Sequence, residues 1–333
     1  MSPADPLLKI LSVEPGSEKT NNMIFARRQN DALSKRGITC KSVAVAHART
    51  LSDFVGHLLF LHREMREFKP SIVHAQYGTY NAFLCSFFSL RCKFVISFRG
   101  SDLNLEANIG NTNFLRGLLG HFLSQASALF AHRIICVSQR LAGKLWWGRS
   151  KTSVIPDGVD LASFVSGSLQ EARVRIGVPE DARVLFFNAG YNPRVKRKDL
   201  SDAVAEILQS RIQGFQYLVM EGQIAPEEVP AFLQASDCLL ITSDNEGSPC
   251  IVKEALACEL PIVSVDVGDV SQMVQGVSQC CVEERNVKVL ADRVEEIIRL
   301  GIRSDGRKFS HRYDMDRCID RLIGVYLCLV GDQ

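Results

Sequence analysis

Short apolar runs alternate with longer amphipathic segments along the whole 333-residue chain. Short apolar runs bounded by polar residues are typical of buried parallel strands, and the amphipathic segments are typical of helices that cover a sheet. The pattern predicts two doubly wound α/β domains. The predicted strands lie near residues 7–13, 40–46, 72–75, 93–97, 133–137 and 153–155, and then near 184–188, 216–220, 238–241, 261–265 and 279–282.

The length is sufficient for two domains with separate cores, and we place their boundary near residues 157–160. Ligands of doubly wound sheets bind at the carboxyl ends of the strands. The loops that carry Gly16, Tyr77, Arg99, Arg194 and Glu246 all follow predicted strands. We therefore expect these loops to line one cleft between two facing domains.

The sequence E-G-S-P-C-I-V-K-E runs from Glu246 to Glu254 around the start of one predicted helix. Pro249 suits the first helical position and Ser248 suits the cap, so the helix should extend from Pro249 to about Cys258. Its faces are apolar on nearly all sides, which predicts burial. The side chain of Glu254 should lean back toward the helix start, so both glutamates could face one ligand there.

The ligand at this helix start can be described from its chemistry. Backbone N–H groups and the helix dipole favour a phosphate, while two carboxylates favour hydroxyl groups. A phosphate together with several hydroxyls describes a nucleotide sugar. The alternative is a capped core helix in which Glu254 pairs with a lysine or arginine of the protein, and local physics alone does not separate the two.

This segment resembles the donor-binding signature of glycosyltransferase family 4, enzymes of the GT-B fold in which two glutamates are separated by seven residues. Its flanks, A-x-D-C-L-L-I-T-S and L-P-I-V-S-V-D-V-G-D-V, resemble the family, as does V-I-P-D-G-V-D at the domain link. Looser matches in the first half are L-K-I-L, S-K-R-G-I, I-V-H-A-Q-Y-G and F-R-G-S-D-L. The resemblance implies an acceptor-side domain, 1–158 with a returning helix in 312–333, and a nucleotide-sugar-binding domain, 159–311.

The resemblance also implies an activity and its residues. The chain would be a retaining, metal-independent glycosyltransferase without a cofactor, which moves a sugar from a nucleotide diphosphate to a hydroxyl of a glycan, lipid-linked or small-molecule acceptor. Glu246 would hold the sugar hydroxyls and Glu254 the ribose hydroxyls. The implied catalytic residues are Glu246, Lys198 and Arg194, and the implied donor contacts are Gly16, Arg197, Gly247, Ser248, Cys250, Ile251 and Glu254.

A basic run supplies the cations for the leaving diphosphate: Arg194, Lys196, Arg197 and Lys198. The family has an arginine and a lysine in this loop. Lys198 corresponds to the lysine, and either Arg194 or Arg197 corresponds to the arginine. A solvated basic loop is the structural alternative.

On the acceptor side the candidates are Tyr77, Arg99 and Asp102. Arg99 stands where many family members have a histidine before G-S-D. Because arginine is always charged, it would serve as an anion clamp or as a structural strut. Anchoring of its own turn is the alternative for Asp102, and we interpret His74 as a buried, hydrogen-bonded histidine.

Composition and charge narrow the classes of protein to which the chain could belong. The net charge of +2 gives no reason to expect nucleic-acid binding. The apolar runs are too short to span a bilayer and the first residues do not resemble a signal peptide, so we expect a cytoplasmic protein. Eleven cysteines without a C-x-x-C pair indicate buried free thiols. Trp146 and Trp147 lie among cations and suggest a weak contact with the inner membrane face, although ordinary packing is favoured.

Several other motifs are set aside. The D-M-D at Asp314 should lie inside the last helix, about 312–327, and therefore not bind metal. V-E-P-G-S-E-K-T, from Val13, lacks the glycines of a phosphate-binding P-loop, and no G-x-G-x-x-G follows a predicted strand, which disfavours an ATPase and a nicotinamide dehydrogenase. The alternatives that stay open are a nucleotide-sugar epimerase or hydrolase on the same fold and a non-catalytic nucleotide-sugar-binding protein.

Overall fold

The computed structural model describes residues 8–16, 23–104, 114–190 and 192–331. The chain divides into two compact units. Unit 1 comprises Met1–Gly158 and Met315–Gln333, and unit 2 comprises Val159–Asp314. The final helix therefore belongs to the first unit.

Unit 1 contains a six-stranded parallel sheet in the order β2-β1-β3-β4-β5-β6. Its strands are β1 Lys9–Pro15, β2 Thr39–Val45, β3 Ile72–Ala75, β4 Lys93–Phe98, β5 Arg133–Cys136 and β6 Thr152–Val154. Its helices are α1 Ile24–Lys35, α2 Leu51–Phe68, α3 Thr79–Ser86, α4 Phe114–Phe130 and α5 Gln139–Ala142, with a 3-10 turn at Arg149–Lys151.

Unit 2 contains a five-stranded parallel sheet in the order β11-β10-β9-β7-β8. Its strands are β7 Arg183–Asn188, β8 Phe215–Met220, β9 Cys238–Ile241, β10 Ile262–Val265 and β11 Cys280–Glu283. Its helices are α6 Leu169–Ile176, α7 Lys198–Arg211, α8 Val229–Ala235, α9 Cys250–Ala257, α10 Val270–Val274, α11 Val287–Leu300 and α12 Arg307–Ser310, with a 3-10 turn at His311–Tyr313.

The sequence prediction of two doubly wound parallel sheets is confirmed. Each described strand lies within two residues of its predicted bounds, because buried parallel strands are nearly continuous apolar runs. The last helix, α13 Met315–Gly331, begins later than predicted because a short helix and a 3-10 turn precede it. Asp314 therefore precedes the helix, while Met315 and Asp316 are its first two residues, so only part of the D-M-D lies inside it as expected.

Helices cover both faces of the unit 1 sheet. Apolar residues of α2, α3, α4 and α5 form one core cluster with the sheet. Residues of α1 and α13 form another, which includes Leu33 and Tyr326. The returning helix thus completes the second face of the sheet.

His74, on β3, ties α13 to this sheet. It is completely buried, its Nδ1 lies 2.6 Å from the Tyr326 hydroxyl, and its Nε2 lies 2.8 Å from Ser97 Oγ. The interpretation of His74 as a buried, hydrogen-bonded histidine is confirmed. Burial, with a smaller contribution from the charge of Arg99, lowers the pKa of His74 from 6.5 to about 3.

We expect this imidazole to make the fold acid-sensitive. Between pH 6.5 and about pH 3 the unfolded chain binds a proton here and the folded protein does not, so stability falls as pH falls through this window. Lowering the pH from about 7.5 to about 5.5 should cost about 1.4 kcal/mol at this site. Urea unfolding at both pH values should show that His74→Gln loses less stability on acidification than the unchanged protein.

His62→Gln is the matched control for this experiment. His62 is a partly exposed histidine of the same unit, and the variant keeps His74. It should therefore retain the steeper acid dependence. Equal acid dependence in His74→Gln and the unchanged protein would contradict the assignment.

Candidate functional site

Glu246 lies in the loop between β9 and α9, and its carboxylate is held by two neighbours. Its Oε1 lies 2.5 Å from Lys196 Nζ and accepts a hydrogen bond from Ser243 Oγ at 2.8 Å. The two ionic side chains are 23% and 13% exposed, for Lys196 and Glu246 respectively. This ion pair is therefore largely shielded from solvent and remains reachable from it.

Lys196 comes from the loop between β7 and α7, which is bonded to the Glu246 loop. Thr242 Oγ1 donates to the carbonyls of Lys196 at 2.8 Å and Arg197 at 3.0 Å. The backbone N–H of Asp244 donates to the Val195 carbonyl at 2.9 Å. Because β7 and β9 are neighbours in a parallel sheet, their following loops meet at one edge.

Asp244 and Arg285 brace the same two loops. The Asp244 carboxylate accepts from Arg197 Nη1 at 3.3 Å and forms a short ion pair with Arg285. Arg285 Nη2 also donates to the Ser243 carbonyl at 2.8 Å. Arg197 has a left-handed backbone, with φ 55°, and its guanidinium also bonds Asp199. Arg197 was predicted to contact the donor, and in this structure its guanidinium binds the carboxylates of Asp244 and Asp199.

The basic run divides differently from the sequence prediction. Lys198 is the first residue of α7, and its Nζ lies 2.9 Å from both carboxylate oxygens of Asp202, one turn further on. Arg194 is exposed. The structure brings Lys196 to Glu246. The predicted role of Lys198 concerned the leaving diphosphate, and it stays a prediction. The sequence contained the signal, four cations within five positions, but spacing alone does not tell which side chain turns toward Glu246.

Helix α9 is buried as predicted. Lys253 is fully buried and Glu254 is 8% exposed. The predicted start was wrong, because the helix begins at Cys250 and the N-cap is Pro249, whose ψ of 118° is extended. Ser248 does not cap it, because its hydroxyl instead bonds Asp269 Oδ2 at 3.0 Å. The positive end of the helix dipole thus directly follows the Glu246 loop.

Asp269 is a site residue that sequence reasoning missed, although it lies within the recognised G-D-V flank. Burial raises its pKa from 3.8 to about 6, while the charge of Lys253 and the Ser248 hydrogen bond lower it. Within the described structure its buried Oδ1 has no hydrogen-bond partner. This leaves a buried acceptor unused next to the loop that leads into α9.

Gly268 allows the loop after β10 to pack against the Glu246 loop. Its φ is +57°, a backbone that glycine adopts readily. A Cβ at this position would lie 3.1 Å from Glu246 Cβ and 3.3 Å from the Gly247 carbonyl. Three loops, after β7, β9 and β10, therefore converge around Glu246.

Arg99 is a structural strut of unit 1. Its Nε donates to the Gln76 carbonyl at 2.9 Å, its guanidinium forms a short ion pair with Asp157, and it lies 4.3 Å from the Phe25 ring centroid. The side chain is only 5% exposed. Of the two predicted roles, strut and anion clamp, this geometry supports the strut.

Asp102 anchors its own turn, which is the alternative that the sequence analysis gave. Its carboxylate accepts from the backbone N–H groups of Gly78 at 3.0 Å, Arg99 at 3.1 Å and Gly100 at 2.8 Å. The side chain is buried. Asp102 therefore shapes the loop after β4.

Tyr77 and Gly16 follow β3 and β1, as predicted. The Tyr77 hydroxyl lies 2.5 Å from Ser101 Oγ, and the Gly16 N–H donates to the Val45 carbonyl at 3.0 Å. Gly16 has a φ of 104°. Residues 17–22, which include the rest of the P-loop-like segment, and residues 1–7 lie outside the described part of the chain.

The thiols and the possible metal ligands are the remaining groups with candidate chemistry. All eleven cysteines are free, as the sequence indicated, although Cys250 and several others are only partly buried. Among the described residues no group of three or more histidine, cysteine or acidic side chains is placed to hold a metal ion. No helix in the described ranges has the length and apolar character needed to cross a membrane.

Two family models match the chain, one in each half. Residues 21–163 match glycosyltransferase family 4, and residues 172–299 match glycosyl transferases group 1. Together with the two-sheet fold, these matches decide the family. The chain belongs to glycosyltransferase family 4 and has the GT-B fold.

Curated relatives are also glycosyltransferases. TuaC of Bacillus subtilis, provisionally named for teichuronic acid biosynthesis, is 24% identical over 69% of this chain and 62% of its own length. The D-inositol 3-phosphate glycosyltransferase of Geodermatophilus obscurus is 28% identical over 53% of this chain and 47% of its own. The chain thus spans less than two thirds of the length of these curated relatives.

Solved structures share the fold at low sequence identity. Sucrose-phosphate synthase from Thermosynechococcus elongatus has a TM-score of 0.82 at 14% identity, covering 98% of this chain and all of that one. Anabaena HepE with UDP-glucose has a TM-score of 0.71 at 16% identity, over 95% and 99% of the two chains. UDP-GlcNAc 2-epimerase from Methanocaldococcus jannaschii has a TM-score of 0.61 at 11% identity, over 96% and 99%.

We expect Gly268→Ala to disturb the Glu246 loop. Gly276→Ala is the matched control, because Gly276 has a φ of +78° and nothing within 4 Å of a new Cβ. The control should lose only the ~1–2 kcal/mol of a left-handed alanine. Gly268→Ala should lose at least ~1 kcal/mol more through overpacking, measured by urea unfolding. Equal losses in both variants would show that the loops do not press on each other.

Proposed function

We propose that the protein transfers a sugar from a nucleotide-diphosphate donor to an acceptor hydroxyl, with retention of the anomeric configuration and without a metal ion. The observation that carries the proposal is the placement of Glu246. Lys196 and Ser243 hold its carboxylate, and the chain enters α9 four residues later, with Glu254 in that helix. Family membership and the UDP-glucose bound by HepE support a nucleotide-sugar donor.

The leaving diphosphate needs positive charge during the reaction. The bond between the anomeric carbon and the diphosphate oxygen breaks and leaves its electron pair on the diphosphate. The acceptor oxygen bonds that carbon and passes its proton to the leaving diphosphate. Lys196 and the amino end of α9 would stabilise the charge that develops on the diphosphate. We assign to Lys196 the role that the sequence prediction gave to Lys198, and keep Arg194 as a further diphosphate contact.

The two glutamates hold different parts of the donor in this proposal. Glu246 would accept hydrogen bonds from the sugar hydroxyls, and Glu254 from the ribose hydroxyls. The chain near Gly247, Cys250 and Ile251 would face the phosphates, and Gly16 stays a predicted donor contact. Ser248, fixed by Asp269, would set the path of this chain segment.

The acceptor is a glycan, a lipid-linked or a small-molecule alcohol in this proposal, in polysaccharide or glycoconjugate assembly, and not a nucleic acid. The provisional role of TuaC supports such a setting. A cytoplasmic location with contact to the inner membrane face belongs to the same proposal. Tyr77, Arg99 and Asp102 would act on the acceptor side only by shaping unit 1 loops.

A nucleotide-sugar epimerase is the second candidate, because UDP-GlcNAc 2-epimerases share the fold. Both family models describe glycosyltransferases, which favours transfer. The two reactions differ in their need for an acceptor. An epimerase converts the donor sugar alone, while a transferase requires a second substrate to consume it.

The full chain should bind one class of nucleotide sugar. Melting in a panel of UDP-, GDP-, ADP- and TDP-sugars at about 100- to 1,000-fold excess over Kd should reveal roughly 3 to 4 kcal/mol of stabilisation. NMR of the stabilising donor with acceptor alcohols should then show a product of unchanged anomeric configuration, with or without EDTA. Donor conversion in the absence of acceptor would favour the epimerase, and no stabilisation by any donor would refute both.

Lys196→Ala should lower the turnover number by about 100-fold, because a preorganised charge at the leaving group would be lost. Lys198→Ala is the matched control two residues further along the chain and should stay within about threefold, because it removes only a partly exposed ion pair with Asp202. Lys196→Arg keeps the charge and should recover part of the rate. Initial-rate kinetics at saturating donor measure all three, and melting curves check folding. A larger loss in Lys198→Ala would return the role to Lys198.

A further inference from the structure

Helix α4 of unit 1 presents an apolar stripe to solvent. Leu115, Leu119 and Phe122 follow one another at i, i+4 and i+7 and therefore lie on one helix face. Their side chains are 77%, 59% and 49% exposed, respectively. Single exposed apolar residues are ordinary, but a continuous group of large ones marks an interaction site.

Two tryptophans extend this stripe. The Phe122 ring centroid lies 5.5 Å from that of Trp146, and the Trp146 centroid lies 5.6 Å from that of Trp147. Both indoles remain well exposed, Trp146 at 51% and Trp147 at 37%. We call Leu115, Leu119, Phe122, Trp146 and Trp147 the α4 patch.

Buried Gln125 holds the tryptophans in place. Its Oε1 accepts from the Trp146 backbone N–H at 3.1 Å, and its Nε2 donates to the Lys144 carbonyl at 3.0 Å. Trp147 Nε1 donates to the Gln125 carbonyl at 2.5 Å. The aromatic surface is therefore presented by a fixed loop that is hydrogen-bonded to α4.

The chain around the patch is cationic without any acidic residue. Residues 114–156 contain no aspartate or glutamate and carry Arg116, Arg133, Arg140, Lys144, Arg149 and Lys151. Arg149 donates to the carbonyls of Leu145 and Gly143, and Lys151 to those of Ala131 and Leu129. Carbonyl partners orient these cations and leave their charge in place. The whole chain, by contrast, has a net charge of only +2.

We propose that the α4 patch docks on a membrane surface that contains anionic phospholipids. Exposed tryptophans prefer the boundary between water and acyl chains, and lysine and arginine beside them attract anionic headgroups. No helix in the described ranges is suited to crossing a membrane, so the contact is peripheral. It assigns a surface to the membrane contact that is part of the proposed function, but it uses unit 1 alone and does not depend on the chemistry proposed for unit 2.

Co-sedimentation of the full chain with vesicles tests this docking. Vesicles of phosphatidylcholine with phosphatidylglycerol should bind the protein, pure phosphatidylcholine vesicles should bind it much less, and added salt should weaken binding. Trp146→Ala and Leu119→Ser should each weaken binding about tenfold through lost apolar burial. Arg116→Glu should weaken it about tenfold or more, because two charges change at the surface.

Matched controls come from unit 2. Ile302→Ser removes an apolar side chain that is 54% exposed, and Arg175→Glu reverses an exposed arginine of α6. Neither control should change vesicle binding. Leu119 and Arg116 lie on the exposed helix face, so these variants should fold normally even where Trp146→Ala loosens the loop, and melting curves check this.

Three results would overturn the proposal. These are failure to bind anionic vesicles, equal binding to neutral vesicles, and unchanged binding in Leu119→Ser and Arg116→Glu. Sedimentation velocity adds a fourth, since a dimer that Leu119→Ser dissociates would assign the patch to a second copy of the chain. None of these readouts requires a donor or sugar transfer, so they are independent of the outcome of the transferase assays.

Discussion

The ion pair between Lys196 and Glu246 is the interaction around which the candidate site of unit 2 is arranged. A carboxylate that is only 13% exposed would lose much of its hydration, and it stays charged at modest cost only with a cation and hydrogen-bond donors beside it. Lys196 and Ser243 meet this need. Separating the two partners of a shielded pair would leave an uncompensated charge. The ion pair therefore fixes the position of one loop relative to the other.

The supporting contacts follow from this requirement. Thr242 and Asp244 bond the backbone of the Lys196 loop, and Gly268 brings the loop after β10 against Glu246. The Ser248 hydrogen bond then joins Asp269 to the chain that enters α9. Protonation of Asp269 stabilises the fold below about pH 6, since its pKa is raised from 3.8. At neutral pH the negative charge of Asp269 is offset mainly by the positive charge of buried Lys253. This interaction links the loop after β10 to helix α9.

The sequence was sufficient to predict the helices and strands, but it was not sufficient to predict the directions of individual side chains. Buried parallel strands such as β3 and β9 were placed at their observed bounds because their apolar runs are sharply bordered. The sequence did not reveal which lysine of the basic run lies next to Glu246. Arg197 adopts a left-handed backbone and Lys198 becomes the first helical residue, which directs Lys198 along α7 toward Asp202.

A similar limit applies to competing hydrogen bonds. Ser248 is a good cap by type, but Asp269, distant in sequence, takes its hydroxyl, and the extended backbone of Pro249 delays the helix by one residue. A prediction from neighbouring residues cannot include a hydrogen-bond partner that is distant in sequence and is brought close only by folding. By contrast, the roles of His74 and Asp102 as satisfied buried groups were predictable, because each ends or follows a short buried strand where unpaired polar atoms are costly.

The two units differ in how they use their polar groups. In unit 1 the chemically capable side chains are bonded within the unit: Arg99 to Gln76 and Asp157, Asp102 to its turn, and His74 to Tyr326 and Ser97. Among the described residues, unit 1 also contains buried polar atoms without a hydrogen-bond partner, including both amide atoms of Asn81. The described part of unit 2 is distinguished by the combination of an unpartnered buried oxygen of Asp269, a helix start and a shielded ion pair. Preorganised charge of this kind costs stability unless a ligand uses it. The proposed donor chemistry therefore belongs to unit 2, and the role proposed for unit 1 belongs to its surface.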